Sequence, residues 1–118
     1  MGMFEWPIEI GTPQGDYFEQ IAVLVDTGAS ITVVPREMLE RLGVAPIDRE
    51  PFELADGRIV ERQIGETHVR VEGRVRTTQI AFGEPGDAAV LGVSTLEAVL
   101  LAVDPVNQSL IPVRRLFL

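Results

Sequence analysis

The sequence predicts a mainly β domain that carries two short helices. Three observations point there: short apolar runs alternating with polar residues, turns rich in Gly, Pro and Asp between them, and two places where an apolar strand meets a glycine and then a short helical pattern. The chain has 118 residues and no internal repeat, which predicts a single domain over residues 1–118 with a modest core.

In chain order, Phe4 to Ile10 sets Ile8 and Ile10 around Glu9, as a half-buried strand does. Gly11 to Asp16 is a turn. Tyr17 to Val25 is densely apolar, with Ile21, Val23 and Val25 on one face and Ala22 and Leu24 on the other, which predicts a strand buried on both sides. Ile31 to Val34 is a brief strand. Pro35 suits the first position of a helix that runs through Leu42, with Gly43 as its stop. Val44 to Glu50 is a connection.

Phe52 to Ala55 and Arg58 to Ile64 then bracket Asp56-Gly57, a two-residue hairpin signal. The charged arms make this hairpin project into solvent, as a surface feature or as a lid. Thr67 to Val71 and Val75 to Phe82 form a second hairpin around Glu72-Gly73-Arg74, with His68 on the solvent side. Glu84 to Asp87 is a turn. Ala88 to Val93 brings a strand to Gly92, where Ser94 and Glu97 have capping-box spacing for a helix bearing Leu96, Val99 and Leu100. Leu110 to Val113 is the last strand. The strand, glycine and helix here repeat the plan of Val25 to the Pro35 helix, so two related halves should cross near the domain centre.

Composition excludes several classes. Eighteen acidic residues against ten basic ones leave a net charge of −8, which argues against nucleic acid as a partner. Arg70, Arg74 and Arg76, interleaved with Val and Thr, suit the wet face of a hairpin. Without cysteine there is no disulfide, thiolate nucleophile or thiolate metal site, and one His68 makes no His cluster. No metal or cofactor is expected. The amino terminus lacks the pattern of a signal peptide, and no charge-free window reaches membrane-spanning length. A soluble, cytoplasmic chain with no membrane partner is the expectation.

The chemistry concentrates at Val23-Leu24-Val25-Asp26-Thr27-Gly28-Ala29-Ser30. An apolar strand delivers one carboxylate to the end of a sheet, where ionisation needs nearby donors, and Gly28 permits a close backbone approach. An Asp in an ordinary strand-ending turn has the same local pattern.

With Asp26-Thr27-Gly28-Ala29-Ser30 behind an apolar strand, a flap-like hairpin at Asp56-Gly57, and Val90-Leu91-Gly92 before a helix, the chain resembles the retropepsin-like aspartic proteases from about Ile8 to Val113. It is more similar to small single-domain prokaryotic members than to viral ones, because the flap tip lacks the viral glycines and the carboxyl tail is longer. The resemblance implies a closed β-barrel of the acid-protease type and hydrolysis of peptide bonds by a water held between two aspartates. No second Asp-Thr-Gly exists in the chain, so the dyad requires an obligate homodimer joining two copies of Asp26.

The resemblance makes Asp26, Thr27 and Gly28 catalytic, with Thr27 bracing the two active-site loops. It assigns substrate binding to Leu24, Ala29, Ser30, Ala55, Asp56, Gly57, Arg58, Ile59 and Val90. Leu24 and Val90 suit core packing as well. Ala29 offers no hydroxyl donor to the dyad, which predicts an activity optimum less acidic than a gastric enzyme's. Phe4, Trp6 and Leu116 to Leu118 are either an interface or frayed ends. Two other readings use the same residues: a non-catalytic peptide-binding or dimerisation module, and a structural β-domain with a coincidental Asp-Thr-Gly.

Overall fold

The computed structural model describes residues 3–117. Nine strands and two helices follow one another: β1 (Phe4–Gly11), β2 (Phe18–Val25), β3 (Thr32–Pro35), α1 (Arg36–Arg41), β4 (Asp48–Glu53), β5 (Ile59–Val71), β6 (Arg74–Gly83), β7 (Val90–Leu91), α2 (Val93–Val99), β8 (Leu101–Asp104) and β9 (Ser109–Pro112). The main sheet runs β1-β2-β7-β3-β6-β5-β4, and β1 pairs again with β5 through Glu9–Arg70 and Ile10–Val69. Six strands thus form a closed circuit, with β4 outside it and β8-β9 as a separate ribbon. Inside the circuit Ile8, Ile10, Val23, Val69, Ile80, Phe82 and Leu91 are almost fully buried. Their burial is the main drive for closing the ring.

The segments that follow β2 and β7 cross, as expected. Gly92 passes so near Ile31 that a Cβ on it would sit 2.4 Å from the Ile31 carbonyl carbon. Backbone bonds zip the crossing: Val93 N–H donates to Ala29 O at 2.9 Å and Ser94 N–H to Ser30 O at 3.1 Å. Beneath it, buried Thr32 Oγ1 accepts the Gly92 N–H at 3.0 Å and meets Thr95 Oγ1 at 2.6 Å. Those bonds satisfy backbone and hydroxyl groups that would be costly to leave bare in the interior.

Several elements differ from the sequence expectation. The two hairpins share one strand, because β5 runs for 13 residues through Gly65. That glycine permits a close packing contact rather than a break: a Cβ there would stand 2.9 Å from Ala45 O. Pairing with β5 also starts β4 at Asp48, inside the expected connection. The first hairpin turns through three residues, Ala55, Asp56 and Gly57, with Leu54 N–H donating to Arg58 O at 2.8 Å and Gly57 at φ 88°. This is the three-residue turn with a left-handed glycine. The tight two-residue turn lies at Glu72-Gly73, both at positive φ.

β2 is not buried on both sides. Val23 and Val25 are buried, while the face carrying Gln20 and Ala22 is open to solvent. Pro35 closes β3 and caps α1 instead of opening it, and the helix ends at Arg41, before Leu42. The capping box at Ser94 and Glu97 does not form: the N-cap of α2 is Gly92, without a side-chain cap, and Ser94 Oγ is buried without a partner. α2 ends earlier than expected, with Leu100 in the left-handed region.

Arg70 and Arg74 are not a wet face. Arg70 donates to Glu9 at 2.7 Å and lies 3.9 Å over the Phe18 ring, while Arg74 donates to Val99 O and Leu100 O at 3.0 and 2.9 Å, satisfying carbonyls at the end of α2. His68 is half-buried beneath Gly15, its Nδ1 shielded from solvent. Of the expected loose ends, Phe4 is buried and Trp6 half-buried, edge-on to each other at 6.0 Å. Leu116 and Phe117 are exposed, and Leu118 lies outside the described residues.

Candidate active site

Asp26 leaves the end of β2 where that strand meets β7, and its backbone N–H donates to Leu91 O at 3.2 Å. The chain then turns tightly, with Ala29 N–H donating to Asp26 O at 3.1 Å. Gly28 N–H donates to Asp26 Oδ1 at 2.9 Å. A Cβ at Gly28 would press to 3.1 Å from that oxygen, so glycine keeps the donor and the carboxylate in reach of one another. The Asp26 side chain is half-buried, at the wall of a cleft of about 1020 Å³.

The floor of the cleft is the smaller apolar cluster, in which buried Ile31 and Ala81 pack with Val33 and Phe52. One side is the β4-β5 hairpin, through Leu54, Ala55 and Val60. Arg62 and Asp87 form a polar end, joined at 2.7 and 3.0 Å and both largely shielded. The Arg62 guanidinium, by hydrogen bonding, holds the Asp87 carboxyl below its usual range, against the opposing effect of burial. Glu84, three residues before, is held low in the same way by Arg36. Such a space has the size and the mixed lining of a site for an extended ligand.

Of the residues expected at the site, Asp26, Gly28, Ala29, Ser30, Ala55 and Val90 line this cleft together. Thr27 lines a second hollow that shares Asp26 and Gly28 with the cleft. Leu24 lines neither; it is half-buried in β2, paired with Val90. Asp56, Gly57 and Arg58 are exposed at the hairpin tip, outside the cleft lining. There the Arg58 N–H and guanidinium both bond Asp56, at 3.0 and 2.8 Å, and keep its carboxyl low. Ile59 is 62% exposed. Successive strand residues point to opposite faces, so it is Val60 that meets the cleft, with Arg62 two residues on. Phe52, Val60, Arg62 and Asp87 are among the cleft residues that motif reading missed. Strand parity counted from buried Ile64 would have found Val60 and Arg62, but Asp87 carries no local signal.

A carboxylate held by a backbone donor in an Asp-Thr-Gly turn, at the wall of a cleft beside a hairpin, agrees with the match over residues 18–98 to the family described as "gag-polyprotein putative aspartyl protease". The chain belongs to this aspartyl protease family. Its fold is retropepsin-like. The retroviral protease-like domain of Ddi1 from Leishmania major has 19% identity and a TM-score of 0.58, over 95% of this chain and 89% of that one. A retropepsin-like aspartic protease from Rickettsia conorii has 19% identity and a TM-score of 0.45, over 88% of this chain and 89% of that one. No curated protein matches the chain in sequence. No helix among the described residues of this family member is long and apolar enough to cross a membrane.

Proposed function

We propose that the chain is an aspartic endopeptidase whose catalytic pair is made by Asp26 from each of two copies. The observation that carries this reading is the Asp26 carboxylate, anchored by the Gly28 N–H at 2.9 Å, in the wall of the large cleft. One carboxylate cannot act at once as the acid and the base of this hydrolysis, and the chain has no second Asp-Thr-Gly. A homodimer supplies it by symmetry.

In the proposed reaction, one Asp26 takes a proton from the water as the oxygen attacks the peptide carbonyl carbon. The other Asp26, protonated, gives its proton to the carbonyl oxygen. A proton then passes to the amide nitrogen, the carbon–nitrogen bond breaks, and a carboxylic acid and an amine leave. Two carboxylates at contact distance share one proton because both cannot ionise together. Thr27 braces the paired loops. Ala29, Ser30, Ala55 and Val90 contact the substrate backbone and its apolar side chains, and the Asp56-Gly57 hairpin closes over an extended peptide as a flap. Closed strand pairing from β1 to β5 supports the barrel of the acid-protease type.

Incubation of the purified protein with a mixed peptide library between about pH 3 and 7, the range of carboxylate pairs, tests the proposal. Cleavage is expected in wild type, with a loss of at least about a thousandfold in Asp26→Asn, an acid and base role lost together. Cleavage that survives in Asp26→Asn refutes the mechanism. A dimer that binds peptides and cuts none would be a peptide-binding module instead.

A further inference from the structure

We propose that Glu50 is a specificity residue of the cleft, selecting a peptide that carries a lysine or arginine two positions from the apolar side chain packed on Phe52 and Val60. The inference rests on the reading of the cleft as a peptide site and names the class of peptide it takes.

The pairing of β4 with β5 sets Phe52 opposite Val60 and Glu50 opposite Arg62. Residues directly opposite on paired strands share a face, and all four line the cleft. The first pair is apolar, with Phe52 packed on the cluster of Ile31, Ile64 and Ala81. The second pair is charged and stands two residues farther from the hairpin tip. β4 therefore offers the cleft an apolar step and a charged step about 6.8 Å apart. Alternate side chains of an extended peptide lying along the hairpin have the same spacing.

Opposite charges facing each other across a ladder attract, yet the Arg62 fork is taken by other groups. It donates Nε–H and Nη2–H to Asp87 at 2.7 and 3.0 Å, and Nη1–H to Glu61 O at 2.9 Å. Asp87 is itself fixed by accepting the Glu84 N–H at 2.8 Å, so the loop before β7 claims the arginine that faces Glu50. Glu50 is left with no cationic partner among the described residues. Its neighbours Arg49 and Glu61 on the same two strands do pair, at 3.6 Å.

The charge left in the cleft is negative. Apart from the Arg62–Asp87 pair, the charged lining residues are Asp26, Glu50 and Glu53. A long basic side chain lays its stem on apolar surface and reaches a carboxylate with its head, and Phe52 and Val60 beside Glu50 supply that surface. Glu53 also borders the cleft, but it is paired with exposed Ile59 next to the tip, away from the Arg62–Asp87 end. Glu50 is open to solvent, so its effect is a modest preference that salt weakens.

Fluorescence anisotropy with Asp26→Asn, which keeps the cleft and leaves the peptide uncut, tests this apart from catalysis. The probes are short fluorescein-labelled Ala-Ser peptides with Leu-Phe at the centre and a single Lys, Gln or Glu scanned through the other positions. At one position, two residues from Leu or Phe, Lys is expected to bind about fivefold tighter than Gln at low salt, the upper range of an exposed ion pair, and Glu is expected to bind more weakly than Gln. Glu50→Gln should abolish that preference with no change in melting temperature, and Glu50→Lys should turn it toward Glu. Glu61→Gln should leave it as it was. No Lys preference, its survival in Glu50→Gln, or an equal loss in Glu53→Gln or Glu61→Gln overturns the assignment and leaves the two-Asp26 mechanism standing. Binding with this preference but no cleavage by wild type between about pH 3 and 7 overturns the endopeptidase reading and leaves Glu50 in place. Peptides that fail to bind at all overturn both.

Discussion

The segments that follow the parallel strands β2 and β7 are put to opposite uses. In the half after β2, the turn holds Asp26 at the edge of open space, and the loop from Thr27 to Ser30 stays partly exposed. In the half after β7, the corresponding turn has no carboxylate and no space: Gly92 is buried against the backbone of Ile31. One turn presents the Asp26 carboxylate and the other clamps it from behind. The placement of Asp26 therefore depends on a residue that never touches the cleft, because Asp26 N–H is bonded to Leu91 O, in the peptide unit whose N–H belongs to Gly92.

Substituting the two glycines separates the roles most sharply. In Gly92→Ala the new Cβ meets Ile31 C, O and N at 2.4, 2.5 and 2.9 Å, which side-chain rotation cannot relieve. A loss of about 3 kcal/mol or more is expected, seen as a fall in melting temperature of roughly 10 °C or more. Gly28→Ala meets only the Asp26 carboxylate, at 3.1 Å. Its melting temperature should change little while peptide cleavage falls, because the displaced atom belongs to the carboxylate proposed to react. Equal destabilisation by the two substitutions would mean that both glycines serve packing alike.

The same contrast explains what could be read in the sequence. Both turns were legible, because an apolar run ending in Asp-Thr-Gly or Leu-Gly is a local pattern. Which turn would be the clamp was not, since the approach of Gly92 to Ile31 joins residues 61 positions apart. The hairpin was legible from Asp56-Gly57, but its face toward the cleft was not. Ile59 and Val60 are adjacent and both apolar, and the buried positions of β5 change parity at Gly65, from Ile64 to Val69, so only the count from Ile64 selects Val60. Arg74 at the end of α2 and Arg62 on Asp87 are invisible for the same reason. An arginine in a polar stretch shows charge, while its partner is chosen by the fold.

Thr32 gives the next largest effect. Its hydroxyl accepts the Gly92 N–H at 3.0 Å and is bonded to Thr95, which in turn lies 3.2 Å from Thr78 Oγ1. Thr32→Val keeps the shape and leaves the Gly92 N–H buried without an acceptor, a cost of about 1–3 kcal/mol. Thermal melting should show the loss, and Thr32→Ser should recover most of it. Because the same peptide unit also accepts the Asp26 N–H through Leu91 O, turnover in Thr32→Val measured well below its melting temperature should fall as well. Full turnover there would mean that the clamp stabilises the fold without positioning the carboxylate.

Acid should act on the clamping half through its approach loop, which has paired charges leading into β7. Asp87 is held below the usual carboxyl range, first by its hydrogen bonds from Arg62 and against some desolvation, and Glu84 is held low first by Arg36. A carboxyl whose value is depressed on folding binds protons less readily in the folded chain than in the unfolded one. Its stabilisation is therefore fully present above the ordinary carboxyl value near 4 and disappears as pH falls through the lower, folded value. In Asp87→Asn the melting temperature should drop by a few degrees at pH 6, and the gap from wild type should close toward pH 2. Asp87 also accepts the Glu84 N–H at 2.8 Å, which Asn can still do through its carbonyl oxygen, so the pH-dependent part isolates the pairing with Arg62. A gap that stays constant with pH would assign the effect to packing and remove the charge pair from the clamp.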